Sequence, residues 1–257
     1  RLGQLAATTL ARGGTNRTGP SNMEPSPPKC YLLVHNISKK KNFGDILRTA
    51  AAMGVTEVAV VGAQKLAAHG SQGCASHLRF SHFNKMEDAV TYLRTVCGAT
   101  ITGIEITDSA KPVHTHPFRG THAFMVGNEG HGLTPPQLAA CDDFVYIPQH
   151  TSATASLNVN AACAVVLHHF ATWAQFAEAP RDGFKFVTEP PAASSLPRSG
   201  VGLKQMRSLH ADGSVVQRRK TDGASATGSA DEDESGAAWQ TAFGAEIGDE
   251  REEAAGE

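Results

Sequence analysis

No stretch of the 257-residue chain approaches the roughly 20 apolar residues that a membrane-spanning helix needs, so a membrane partner is not expected. Cysteine is sparse and unpatterned. The five residues Cys30, Cys74, Cys97, Cys141 and Cys163 are widely spaced and include no C-x-x-C pair, which argues against a disulfide framework and against a zinc site. A reducing, intracellular compartment is expected. Neither sign of charge dominates, the formal net charge being -2, but the balance hides an asymmetry. Residues 222–257 hold eleven acidic residues and one basic residue, Arg251, leaving 22 basic and 14 acidic residues elsewhere. A basic body with an acidic tail suits a protein that binds a polyanion; charged tails also occur on proteins that touch no nucleic acid.

What the chain does contain divides it into three. Residues 1–29 are Arg- and Thr-rich, carry no acidic residue before Glu24 and end in the prolines Pro25, Pro27 and Pro28. Such composition reads as a disordered or targeting segment. It implies a mitochondrial address if the segment is a transit peptide and a cytoplasmic one if Met23 is the true start. Residues 30–178 alternate apolar strand candidates (31–35, 57–61, 101–106, 123–126, 144–147) with helical stretches (43–53, 86–96, 135–140, 157–176). Nearly continuous apolar strands separated by helices predict one α/β domain, a mostly parallel sheet with helices on both faces. Residues 179–257 turn to Pro, Ser, Gly, Ala and charge, and predict a largely disordered tail, acidic at its end, with apolar spots at 184–187 and 239–243.

Three constellations carry chemistry. In the first, Lys39, Lys40 and Lys41 precede a helix for which Asn42 is the expected N-cap, with Asp45 in its first turn and Gly54 as its stop. Ile46, Ala50 and Met53 form the expected buried stripe, so Arg48 points to an edge or cleft. Cations beside free backbone donors suit a phosphate, although a solvated basic loop has the same composition. The second, FMVGNEGHGL over residues 124–133, runs a strand into Gly127, Gly130 and Gly132. Their spacing is not that of a dinucleotide loop. Glycines there let the backbone approach a ligand closely, and Glu129 is the only carboxylate in the turn. The third, VYIPQHTSATASLNVNAACAVVLHHF over residues 145–170, passes from a strand end at Ile147 through a polar loop to a helix expected from about Leu157, with Ser156 as its N-cap and Asn158 in the first turn. A strand end, a polar loop and a helix start in that order form a pocket for a small polar ligand, or an ordinary turn.

Taken in order, Asn42-x-Gly44-x-x-x-Arg48-x-Ala50, Gly127-Asn128-Glu129-Gly130-x-Gly132-Leu133 and Ile147-Pro148 followed by Ser156-Leu157-Asn158-Val159 closely resemble the three motifs of the SpoU, or TrmH-like, RNA ribose methyltransferases of the SPOUT superfamily. The resemblance spans about residues 31–176. It implies a deep trefoil knot, S-adenosylmethionine bound in that knot, and methylation of a ribose 2′-hydroxyl of tRNA or rRNA by a homodimer. Carried over residue by residue, it assigns Gly127, Ile147 and Leu157 to the methyl donor. Arg48, Asn42, Ser156, Asn158 and Glu129 form the catalytic and RNA-facing set. Lys39, Lys40 and Lys41, with Arg48, extend the RNA contact. The chain departs from the pattern at Asn160, where a small Ser is frequent, and in a 147–156 loop that is slightly longer than in bacterial relatives.

The donor methyl is activated by its sulfonium, so the protein has to align the ribose oxygen and stabilise its developing charge. A guanidinium holds its proton too tightly to serve as a base, which favours Arg48 as a cation that binds phosphate and stabilises the alkoxide. No metal is required, and the pairs His114/His116 and His168/His169 are not expected to make a metal site. The competing expectation is a catalytically silent SPOUT-fold factor in RNA binding or ribosome assembly.

Overall fold

A computed structural model describes residues 27–35, 37, 40–62, 71, 73–128, 130–190 and 208–216. Seven strands form the main sheet: β1 (Cys30–His35), β2 (Glu57–Val61), β3 (Phe80–Phe83), β4 (Thr100–Ile104), β5 (Lys111–Pro112), β6 (His122–Val126) and β7 (Asp143–Tyr146). Their order is β3-β2-β1-β6-β4-β7-β5 and every pairing is parallel. Among the described residues, four α-helices accompany them: α1 (Lys40–Ala52), α2 (Met86–Thr95), α3 (Pro135–Ala139) and α4 (Val159–Trp173). The alternation of strand and helix expected from the sequence is therefore present.

Strand β1 shows why both faces of the sheet are covered. Cys30, Leu32 and Val34 face a layer completed by Ile46 and Leu47 of α1 and by Val166, Leu167 and Phe170 of α4. Tyr31 and Leu33 face the opposite layer, with Ala89, Val90 and Leu93 of α2 and with Leu133. A strand apolar at every position but its last, His35, belongs between two such layers. Phe170 is wholly buried and meets Phe118 and Phe124 edge-on at centroid distances of 5.3 and 5.4 Å. Aromatic pairs favour that arrangement.

Three local expectations change. Helix α1 starts at Lys40 rather than at residue 43, so Asn42 lies inside its first turn instead of capping it. The two lysines are good helix formers and carry the helix outward, while the Asn42 side chain is buried and bonds to Asn158. Helix α4 starts at Val159, and its N-cap is Asn158 rather than Ser156; Asn158 Oδ1 accepts the N–H of Asn160 at 2.9 Å. A side-chain oxygen bonded two residues onward satisfies an otherwise free helix donor. The helix stops at Trp173, short of Phe176, where Gln175 adopts a positive φ of 55°. The expected stop of α1 holds, with Gly54 at φ 74°.

Strand β3 escaped the sequence pattern because half of its FSHF sequence is polar. Those polar side chains are buried and satisfied. Ser81 Oγ donates to the buried Glu57 carboxylate. The His82 ring donates from Nε2 to the Gly62 carbonyl at 2.7 Å and accepts at Nδ1 from Ser208 Oγ at 2.9 Å.

Two stretches of the 179–257 tail, which is expected to be largely disordered, have defined structure. Arg181–Asp182 (β8) and Lys185–Phe186 (β9) form a small antiparallel hairpin, although Phe184, Phe186 and Val187 stay exposed. Residues 208–216 extend the sheet at its β3 edge: Ser208 pairs parallel to His82, and Leu209 N–H donates to the His82 carbonyl at 2.8 Å. A covered edge no longer offers a row of free backbone groups. Residues 1–26, 191–207 and 217–257, including the apolar spot 239–243, lie outside the described residues.

Candidate active site

Parallel sheets place ligands at the carboxyl ends of their strands, and a cleft of about 280 Å³ opens there beside β6, β4 and β7. Its walls come from three chain segments. The β4 exit gives Glu105 and Ile106, the β6 exit gives Gly127, and the β7 exit with the loop before α4 gives Ile147, Ser156 and Leu157. Ile106 and Leu157 are 64% and 41% exposed. Exposed apolar side chains inside a cleft are a surface for a ligand to cover.

The glycine turn is built for close approach. A Cβ on Gly127 would lie 2.8 Å from both Cα and O of Gly132, and nearer still to its carbonyl carbon. The turn is held by paired backbone bonds between Asn128 and Gly132 at 2.9 and 3.0 Å and by Asn128 Oδ1 accepting Gly130 N–H at 2.9 Å. Gly132 has a φ of 66°, a left-handed conformation, and its missing Cβ leaves room for the carboxylate of Glu105. That carboxylate accepts the N–H of Ile106 at 3.0 Å through Oε1 and the N–H of Leu133 at 2.9 Å through Oε2. One side chain thus pins the β4 exit to the end of the glycine turn. Glu105 escaped the sequence reading because it falls in a stretch expected to be plain strand; the signal was a lone carboxylate closing an apolar run.

Part of the set singled out from sequence meets in the structure. Gly127, Ile147 and Leu157, assigned to one ligand, line one cleft with Ser156. Asn158 Nδ2 donates to Asn42 Oδ1 at 3.3 Å, and Thr49 Oγ1 donates to Asn160 Oδ1 at 2.8 Å. These two bonds tie α1 to the start of α4. Asn160, the departure from the motif, is therefore part of the helix junction. Arg48 is exposed on α1 and is not among the residues lining the cleft. Lys41 is exposed at the start of α1. Glu129, Lys39 and the side chain of Lys40 lie outside the described residues.

Other reactive groups are held quiet. Burial pushes the Cys163 and Cys141 thiols up to about 12, with Asp142 adding to the effect at Cys141, and burial with the neighbouring Cys163 raises the Cys30 thiol well above its usual value. Thiols so shifted are poor nucleophiles. The two histidine pairs meet through one member each, His116 Nε2 lying 3.0 Å from His169 Nδ1. Burial and the surrounding His116, His168 and His114 lower the proton affinity of His169. Among the described residues, no group of three or more His, Cys, Asp or Glu side chains is placed to hold a metal.

The parallel sheet, the glycine turn and the three strand ends define an α/β protein with a cleft at the carboxyl edge of its sheet. Residues 29–168 match the model of the SpoU rRNA Methylase family, and the chain belongs to that family. It is 29% identical over 146 residues to the 23S rRNA (guanosine-2'-O-)-methyltransferase RlmB of Acinetobacter baylyi, covering 53% of this chain and 57% of that one. It is 28% identical over 144 residues to the tRNA (guanosine(18)-2'-O)-methyltransferase of Escherichia coli, covering 55% of this chain and 62% of that one. The match thus spans less than two thirds of either relative. Among solved structures, the SpoU methyltransferase AviRb from Streptomyces viridochromogenes superposes with a TM-score of 0.52 at 22% identity, covering 58% of this chain and 61% of that one. An AdoMet-bound rRNA methyltransferase from Sinorhizobium meliloti gives 0.51 at 21% identity, covering 59% of each chain. At these identities the likeness is one of fold.

Proposed function

We propose that this protein transfers a methyl group from S-adenosylmethionine to a ribose 2′-hydroxyl of tRNA or rRNA. The observation that carries the reading is the convergence of Gly127, from the β6 exit, with Ile147 and Leu157, from the two ends of the loop between β7 and α4, on one cleft at the carboxyl end of the sheet. The names of the relatives in RNA 2'-O-methylation support it. The cleft fits the donor chemically. Ile106 and Leu157 offer apolar surface for a nucleoside base, and the tight turn at Gly127 lets backbone groups approach polar atoms of the ligand.

In the transfer, the ribose oxygen forms a bond to the methyl carbon as the carbon–sulfur bond breaks, leaving a neutral thioether and releasing the hydroxyl proton. The protein aligns the two reactants and stabilises charge on the oxygen. Ser156, on the cleft wall, and Asn158, bonded to Asn42, stand at the start of α4 to orient the sugar. Arg48, with Lys41 on the same exposed side of the chain's first helix, supplies cations for the RNA phosphates. The same reading gives the chain path the family's trefoil knot and gives the working unit two copies of the chain. The first test is calorimetry of the full chain with S-adenosylmethionine. Saturable one-to-one binding per chain is expected; no binding with RNA present or absent would overturn the reading and favour a silent RNA-binding factor.

A further inference from the structure

We propose that Glu105 makes the cleft selective for the charge of the donor, favouring the cationic sulfonium over the neutral thioether that remains after transfer. The inference rests on the donor reading given above. Among the described residues lining the cleft, Glu105 is the only Asp, Glu, Lys or Arg. Its carboxylate is not free to swing out into water, because the backbone N–H groups of Ile106 and Leu133 hold one oxygen each at 3.0 and 2.9 Å. Gly132 leaves the space in which that carboxylate sits. The negative charge therefore has a fixed position in the wall of the cleft.

A cleft of about 280 Å³ is small on the electrostatic scale. Taken as a sphere it is about 8 Å across, so a ligand cation inside it feels a wall charge with an effective dielectric between those of protein surface and water. The Debye length at physiological salt is also about 8 Å, so screening across the cleft is incomplete. The Coulomb energy over that range corresponds to a preference of about twofold to thirtyfold for a ligand with one extra positive charge. S-adenosylmethionine and S-adenosylhomocysteine share the adenosine, ammonium and carboxylate groups and differ by the methyl and the sulfonium charge. The methyl contributes alike whether or not residue 105 is charged, so a change in that selectivity on removing the carboxylate reports the charge of the wall. A site with this selectivity takes up the donor in the presence of accumulated product and releases the product after each turnover.

The test compares the binding of the two ligands by calorimetry to the full chain and to Glu105→Gln and Glu105→Asp. Glu105→Gln alters both the anchoring of the glycine turn and the charge. Loss of anchoring weakens both ligands together and cancels in the ratio of their dissociation constants, whereas loss of charge does not cancel. The ratio is expected to shift by more than about twofold in favour of the thioether for Glu105→Gln, and to stay within twofold of the wild-type value for Glu105→Asp. A Glu105→Gln ratio unchanged within twofold, with both ligands still binding wild-type protein, would overturn the inference and leave the donor reading intact. Wild-type protein that binds neither ligand would remove the donor reading, and the inference with it. A Glu105→Gln chain that fails to fold transfers the decision to ionic strength: rising salt must weaken wild-type binding of the sulfonium more than that of the thioether, and equal weakening would count against Glu105.

Discussion

Replacing Gly127 by alanine tests the link between the glycine turn and donor binding. The added Cβ would lie 2.8 Å from both Cα and O of Gly132. These are backbone atoms and cannot rotate away as a side chain would, so the Asn128–Gly132 pair of hydrogen bonds at 2.9 and 3.0 Å has to open. Overpacking of this kind costs about 1–3 kcal/mol. In a domain of this size each kcal/mol lowers Tm by roughly 2–4 °C, so a fall of about 2–12 °C is expected. Displacing a binding loop by about 1 Å can cost a hundredfold in a positioned reaction, and at least a tenfold loss of affinity for S-adenosylmethionine is expected. Gly120→Ala is the control. Its φ of 73° makes alanine unfavourable there, but a Cβ meets nothing within 4 Å, so it lowers stability by about 1–2 kcal/mol without touching the cleft. Thermal melts and calorimetry on both variants separate the effects. If Gly127→Ala binds the donor within twofold of wild type, the turn is not part of the donor site.

Other perturbations probe other parts of the account. Arg48→Ala removes an exposed side chain and opens no core cavity, so the melting curve and donor binding should stay near wild type while transfer falls about a hundredfold or more; a near-normal rate on a matching RNA would refute its role. Ser208→Ala breaks the 2.9 Å bond to the buried His82 ring, leaving an acceptor without its donor, at about 1–3 kcal/mol. A melt shows the loss, and faster hydrogen exchange at the Leu209 amide localises it; unchanged stability would mean that the 208–216 segment does not hold the edge. His122 is buried, donates from Nδ1 to Thr102 Oγ1 at 2.8 Å and accepts the Arg119 N–H at Nε2 at 2.9 Å. Burial lowers its pKa from 6.5 to about 4 despite Asp143. The folded protein keeps this ring neutral, so its contribution is complete above the unfolded value and is lost as the pH falls from about 6.5 towards 4. The loss should reach about 3 kcal/mol, and proton NMR titration showing a ring that ionises near 6.5 would contradict it.

Most of the fold was legible because β1, β2, β6 and β7 are apolar runs bounded by turn residues, and because α2 and α4 are long enough for their pattern to register. Strand β3 was not, since Ser81 and His82 are polar yet buried, and the partners that satisfy them, Glu57, Gly62 and Ser208, are distant in sequence. The edge segment 208–216 was hidden for the same reason: its place depends on backbone bonds to His82, which leave no periodic signature. At the site, Gly127, Ile147, Ser156 and Leu157 were readable from motif order. The exchange of capping roles between Ser156 and Asn158 was not, because several polar residues in a row can cap a helix and side-chain geometry selects among them. Glu105 was invisible as a site residue because its importance comes from pinning Leu133, 28 positions away.

The central claim is methyl transfer to a ribose oxygen, and nucleoside analysis of RNA methylated by the purified full chain tests it most directly. Total RNA from cells lacking the protein is incubated with it and with S-adenosylmethionine carrying an isotopically labelled methyl group, then digested completely to nucleosides for mass spectrometry. Label is expected on the sugar of a 2′-O-methylated nucleoside, located by fragmentation into base and ribose. With the Arg48→Ala protein the same label is expected to appear at least about a hundredfold more slowly. Label on a base, or no labelled nucleoside at all from wild-type protein that binds the donor, would contradict the claim.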